Sequence, residues 1–165
     1  MIMGKVLLAA IDSSPQRRLV LDKAAEIGAC MKAELHVVSV NDLSRHREIS
    51  FAVPNGEMIA VLEAEIHTVL DEARDYLARM KMDCRTHAPF GATAEQIALL
   101  AGELRADGII IGHRHLSWLG RLVEGSVGSD LVARTPCDVL IVVEPDKTRT
   151  FEGDQEPLSR PSSLT

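Results

Sequence analysis

The stretch "DGIIIGHRHLSWLGRLVEGSVGSDLVARTPCDVLIVV", residues 107–143, decides the fold. Two short runs of Ile, Val and Leu, Asp107 to Gly112 and Asp138 to Val143, enclose a polar loop and a segment of helical period from about Ser126 to Arg134, which Pro136 stops. A run that is apolar on both faces needs cover on both sides, and strand, crossover helix, strand is the unit that supplies it.

The same alternation extends back to the start of the chain. "KVLLAAI" (Lys5 to Ile11) and "ELHVVSV" (Glu34 to Val40) read as further buried strands, while "MDCRTHAP" (Met82 to Pro89) alternates apolar with polar and suits an edge strand with one wet face. Between them, Leu19, Lys23, Ile27 and Met31 share one helical stripe, and Ile59, Leu62, Ile66, Val69, Ala73, Leu77 and Met80 share another. A third helix covers Thr93 to Leu104 with Ile97, Leu100 and Leu104 inward. Repeated strand, helix, strand implies right-handed crossovers and a doubly wound α/β fold, a mostly parallel sheet with helices on both faces.

Composition narrows the class of function. With 165 residues and 18.0 kDa, 46% hydrophobic and 25% charged residues, the chain can bury one core, and residues 1–145 are expected to form one domain. The remaining residues 146–165, rich in Pro, Ser, Thr and charge, are expected to form a disordered tail. A net charge of −6 and only one Trp and one Tyr argue against nucleic acid as a partner. The first strand is too short and too soon followed by Asp12 for a signal peptide or a membrane span, so no membrane is expected and the protein is read as cytoplasmic. Cys30, Cys84 and Cys137, far apart and odd in number, suggest neither disulfides nor zinc, and are read as reduced and mostly buried.

In doubly wound sheets ligands bind outside the carboxyl ends of the strands. That selects Asp12, Val37 to Asn41, Gly91 and the loop after Ile111. Asp12 could accept hydrogen bonds from a ribose or an adenine amino group, or be a solvated turn residue, while Ser14 could cap a helix beginning at Pro15. Gly125 and Ser126 open the fourth helix, where the free amides of Gly125 to Gly128 can converge on an anion; their plainer reading is an N-cap. Gly112 would admit a ligand close to the backbone, or merely turn the chain, and Arg114 and Arg121 offer positive charge. His113 and His115 lack the further ligands that a metal site needs, so no metal ligand is expected. The connection Asn41 to Glu57 is long for a βα loop and reads either as a surface excursion or as a cover over the strand ends.

The spacing Gly112, two residues, position 115, nine residues, Gly125-Ser126, with "VLLAAIDSS" before it and "PCDVLIV" after it, resembles the universal stress protein family over about residues 4–143. The resemblance implies a five-stranded Rossmann-like sheet, of the adenine nucleotide alpha hydrolase type, that holds ATP, with Mg²⁺, at the strand ends. It also implies a homodimer through the last strand, Val139 to Val143, which physical reasoning supports because an apolar edge strand needs a partner or cover. By the same resemblance Ala10 and Asp12 would line ribose and adenine, and Val37 would contact the base. Ile111, Gly112 and Arg114 would lie along ribose and phosphates, with Gly125, Ser126, Val127 and Gly128 around the phosphate tail, and His115 could donate to a phosphate if its side chain turns inward. This chain departs from the family pattern in having His115 for its second glycine, Glu124 beside Gly125, and Gly128 where a hydroxyl residue is usual. No residue of the loop is a convincing general base, so the expected function is a stress-response regulator that binds an adenine nucleotide with little or no hydrolysis. The alternative is a homodimeric interaction protein with a vestigial site, and in either case the client protein is open.

Overall fold

The computed structural model describes residues 4–42, 55–112 and 135–144. The fourth helix (Ser126 to Arg134), the tail and most of the Asn41 to Glu57 connection lie outside these residues.

Five strands form one sheet: β1 (Val6–Ala10), β2 (Glu34–Val38), β3 (Cys84–His87), β4 (Gly108–Gly112) and β5 (Asp138–Val142). All neighbouring strands are parallel, in the order β3-β2-β1-β4-β5. The chain therefore moves outward from β1 to one edge, returns, and builds the other edge, so the strand order reverses between β1 and β4. The alternating segment at Met82 to Pro89 is indeed an edge strand.

Strand period divides the core in two. Leu7, Ala9, Leu35, Val37 and Ile110 face α1 (Arg17–Met31) and α2 (Asn55–Arg79), whose Val20, Leu21, Val69, Ala73 and Leu77 are buried against them. Leu8, Ala10, Val38, Ile109 and Ile111 face the other side, against Ile97 and Ala101 of α3 (Thr93–Leu104). The stripe predicted for α2 holds at its centre, whereas Ile59 and Met80 at its ends are exposed.

Two local expectations need correction. The buried face of α1 is Val20, Leu21, Ala24, Ala25 and Gly28, one residue round from the predicted stripe, and Met31 is 41% exposed. Ala24, Ala25 and Gly28 let the helix backbone come close to the sheet, so close approach sets the rotation rather than the larger side chains at Leu19 and Ile27. Ser14 does not cap α1 either. The helix begins at Arg17 with no side-chain cap, after a turn in which Arg17 N donates to Ser14 O at 3.1 Å.

All three described helices end alike. Lys32, Lys81 and Arg105 adopt left-handed backbone, with φ of 51°, 59° and 51°. Each helix is closed by a backbone amide returning to a carbonyl one turn back, from Ala33 to Gly28, Met82 to Leu77 and Ala106 to Ala101. The cation at each position suits the negative end of the helix dipole.

β5 is apolar on both faces but not covered on both: Leu140 is 42% and Ile141 37% exposed. Of the thiols, Cys30 is exposed, contrary to expectation, while Cys84 and Cys137 are half-buried and free, with burial raising the pKa of each of these two. No described helix is long and apolar enough to cross a membrane.

Candidate ligand cleft

A cleft of about 240 Å³ opens at the carboxyl ends of β1 and β2. Asp12 and Ser13 form one wall as the chain leaves β1, and Ser39 to Asp42 form a second beyond β2. Leu62, Glu65, Ile66 and Val69 close it from α2.

The second wall exists because β2 and β3 continue to pair after their neighbours have stopped. Ser39 N donates to His87 O at 3.1 Å, Asn41 N to Pro89 O at 2.8 Å, and Gly91 N to Asn41 O at 3.1 Å. Strand alternation is thereby kept, which places Ser39 and Asn41 on the Leu35 and Val37 side, toward α2, and turns Val40 to the opposite core. Gly91 then reverses the chain at φ 134°, where a side chain would also meet Gln96 at 2.8 Å.

Asp42 fastens this overhang to α3. Its Oδ2 accepts from Thr93 N at 3.1 Å and Thr93 Oγ1 at 3.0 Å, caps that Ala92 at the helix start cannot supply. Across the cleft, Asp12 Oδ1 accepts from Ser14 N at 3.0 Å, holding the turn that leads into α1. Asn41 is 3% exposed, and its side-chain Oδ1 is buried without a hydrogen-bond partner among the described residues.

The polar lining is therefore rich in acceptors: carboxylates from Asp12, Asp42 and Glu65, the Asn41 carbonyl, and hydroxyls from Ser13 and Ser39. No Lys, Arg or His is among the described lining residues. Such a surface favours a ligand with an apolar body and several donors, such as an aromatic amine or a sugar hydroxyl, and repels phosphate.

Of the residues that sequence reasoning selected, Asp12, Ser39, Val40 and Asn41 line the cleft. Val37 is fully enclosed one strand step beneath Ser39, and Ala10 and Ile111, register partners in β1 and β4, are 3% and 1% exposed on the α3 face. Gly112 sits under α1, where an added Cβ would lie 3.3 Å from both Val20 Cγ2 and Gln16 Oε1; helix packing alone accounts for a glycine there. Arg114, His115, Gly125, Ser126, Val127 and Gly128 lie outside the described residues. Glu65 was not foreseen, although it adjoins the α2 stripe that supplies Leu62, Ile66 and Val69.

A second polar cluster lies on the α3 face of β2 and β3. His36, 2% exposed, shares a hydrogen bond of 2.8 Å from Nδ1 to His87 Nε2 and one of 3.2 Å from Nε2 to Glu34 Oε1. Glu34 also pairs with Arg85 at 3.1 Å. Desolvation, then the neighbouring His36 and Arg85, lower the His87 pKa below its ordinary value, against a smaller opposite pull from Glu103 of α3. Among the described residues no group of three or more His, Cys, Asp or Glu could hold a metal ion.

Comparison with known proteins places this architecture. A Coxiella burnetii protein named universal stress protein A homolog 1 is 31% identical over 147 residues, 84% of this chain and 95% of that one. A universal stress protein solved in complex with cAMP superposes with a TM-score of 0.64 at 23% identity, covering 84% of this chain and 96% of its own. One from Archaeoglobus fulgidus solved in complex with dAMP gives 0.60 at 19% identity, covering 86% and 99%. The model of the universal stress protein family matches residues 3–143, and the chain belongs to that family.

Proposed function

We propose that this protein is a stress-response regulator that binds an adenine nucleotide, ATP with Mg²⁺, at the carboxyl ends of its strands, with little or no hydrolysis. The observation that carries the reading is the acceptor-lined, apolar-walled cleft beside the reversal of strand order, which suits a base and a ribose. Solved relatives in complex with cAMP and dAMP support the nucleotide class. The phosphates would leave the acidic rim and reach the amides of Gly125 to Gly128, with Ser126 and Arg114 as further donors and His115 beside them. Mg²⁺, when bound, would offset the charge between the phosphates and Glu124. Asp12 would take the ribose hydroxyls.

In this reading occupancy of the cleft alters contacts with a client protein, and the chain works in the cytoplasm as a homodimer joined along β5. The exposed Leu140, Ile141 and Val143 support that assembly. The test is mass spectrometry of small molecules released from freshly purified protein, with calorimetric titration of ATP and Mg²⁺ into wild type and Gly125→Trp. Stoichiometric nucleotide, or heat in wild type that the variant loses while staying folded, is the expected result. No released nucleotide and no heat at millimolar ATP would overturn it in favour of a dimeric interaction protein.

A further inference from the structure

We propose that the carboxamide of Asn41 reads the exocyclic amino group of the bound base and makes the cleft selective for a 6-aminopurine over a 6-oxopurine; the inference rests on the nucleotide reading above. Asn41 is 3% exposed, yet among the described residues its Oδ1 has no hydrogen-bond partner, which is costly for a buried acceptor unless a ligand donor completes it. Its backbone is held on both sides, the amide by Pro89 O and the carbonyl by Gly91 N, so the side chain leaves the strand from a fixed point. Alternation sends that side chain toward α2, where Leu62, Ile66 and Val69 offer apolar surface for the faces of a flat ring.

The chemistry of the edge decides the choice. A carboxamide matches the amino group and N7 of adenine with two hydrogen bonds, its carbonyl accepting and its amide donating. A 6-oxopurine presents two acceptors on that edge, leaving the Asn41 carbonyl facing another oxygen. Asp12, Asp42 and Glu65 reinforce the preference, since they too favour donors on the ligand.

The experiment compares ATP with ITP, which differs in carrying oxygen in place of the 6-amino group, both with Mg²⁺, by calorimetry on wild type, Asn41→Leu and Asn41→Asp. The wild type is expected to bind ATP on the order of tenfold or more tightly than ITP. Asn41→Leu should bring ATP down to the level of ITP and leave ITP unchanged, and Asn41→Asp, which keeps an acceptor, should preserve a preference for ATP. Circular dichroism checks the fold, and Asn41→Ser, too short to reach, replaces the Leu variant if that variant does not fold. Equal binding of ATP and ITP by wild type, or an unchanged ratio in Asn41→Leu, overturns the role of Asn41 while leaving the nucleotide reading intact. Binding of neither nucleotide overturns both.

Discussion

Asp42→Ala should cost the fold about 1.5 kcal/mol, although residue 42 belongs to no strand or helix. The carboxylate accepts from both the amide and the hydroxyl of Thr93, at 3.1 and 3.0 Å, at the first turn of α3. Loss of an ordinary N-cap costs about 0.5–2 kcal/mol, and a carboxylate at the positive end of a helix belongs in the upper half of that range. The partly buried setting keeps the value below what two charged hydrogen bonds would give in a dry interior. For a chain of this size the loss corresponds to a fall in Tm of about 3–6 °C, at roughly 2–4 °C per kcal/mol. Thr93→Val removes only the hydroxyl leg and should cost about half as much. Urea denaturation followed by circular dichroism measures all three variants, including the double substitution, with an unchanged m-value as the sign that only the native state has been altered. Because the two residues form one contact, the double variant should be less destabilised than the sum, by about 0.5 kcal/mol or more. Additive losses, or an Asp42→Ala midpoint equal to wild type, would refute the capping role.

Three other outcomes follow from the geometry. His87 holds its proton less well folded than unfolded, so the unfolded chain takes up protons first and stability should fall as pH drops below about 6.5, the ordinary His value; His87→Gln should flatten that slope between pH 7 and 5, and a slope identical to wild type would exclude His87 as its source. Gly112→Val drives new methyl groups against Val20, itself 2% exposed, and should cost about 1–3 kcal/mol by thermal denaturation without nucleotide present, whereas a neutral result would mean that α1 can move away. Leu140→Lys places a charge on an exposed face of β5 and should give a folded monomer in sedimentation velocity where wild type is expected to give a dimer; two dimers would remove this strand from the proposed interface.

The sheet was legible because its strands are largely apolar on both faces: Leu7 to Ile11, Ile109 to Ile111 and, apart from His36, Leu35 to Val38 carry no period but burial. The edge position of β3 was legible for the opposite reason, its polar Asp83, Arg85 and His87 alternating with Met82, Cys84, Thr86 and Ala88. The rotation of α1 was not, since hydropathy ranks Leu19 and Ile27 above Ala24 and Gly28, while packing against the sheet selects the smaller residues. At the site, the rule of carboxyl strand ends pointed to Asp12 and Asn41, which do line the cleft. It could not reveal the link from Asp42 to Thr93 or the pairing of His36 with His87, each joining residues 51 apart, because hydrogen bonds between distant segments leave no periodicity in the sequence.

The left-handed helix ends at Lys32, Lys81 and Arg105 carry a consequence for thermal tolerance. A residue with a Cβ pays about 1 kcal/mol to adopt that backbone, and the dipole returns only about 0.3–1 kcal/mol to a nearby cation. Glycine at each position would trade the charge for an unstrained backbone. The three ends share no hydrogen-bond partner, so such gains would add nearly independently. The chain thus stands somewhat below the stability its own backbone permits, and a heat-resistant form of the same fold could begin at these three residues without touching the cleft.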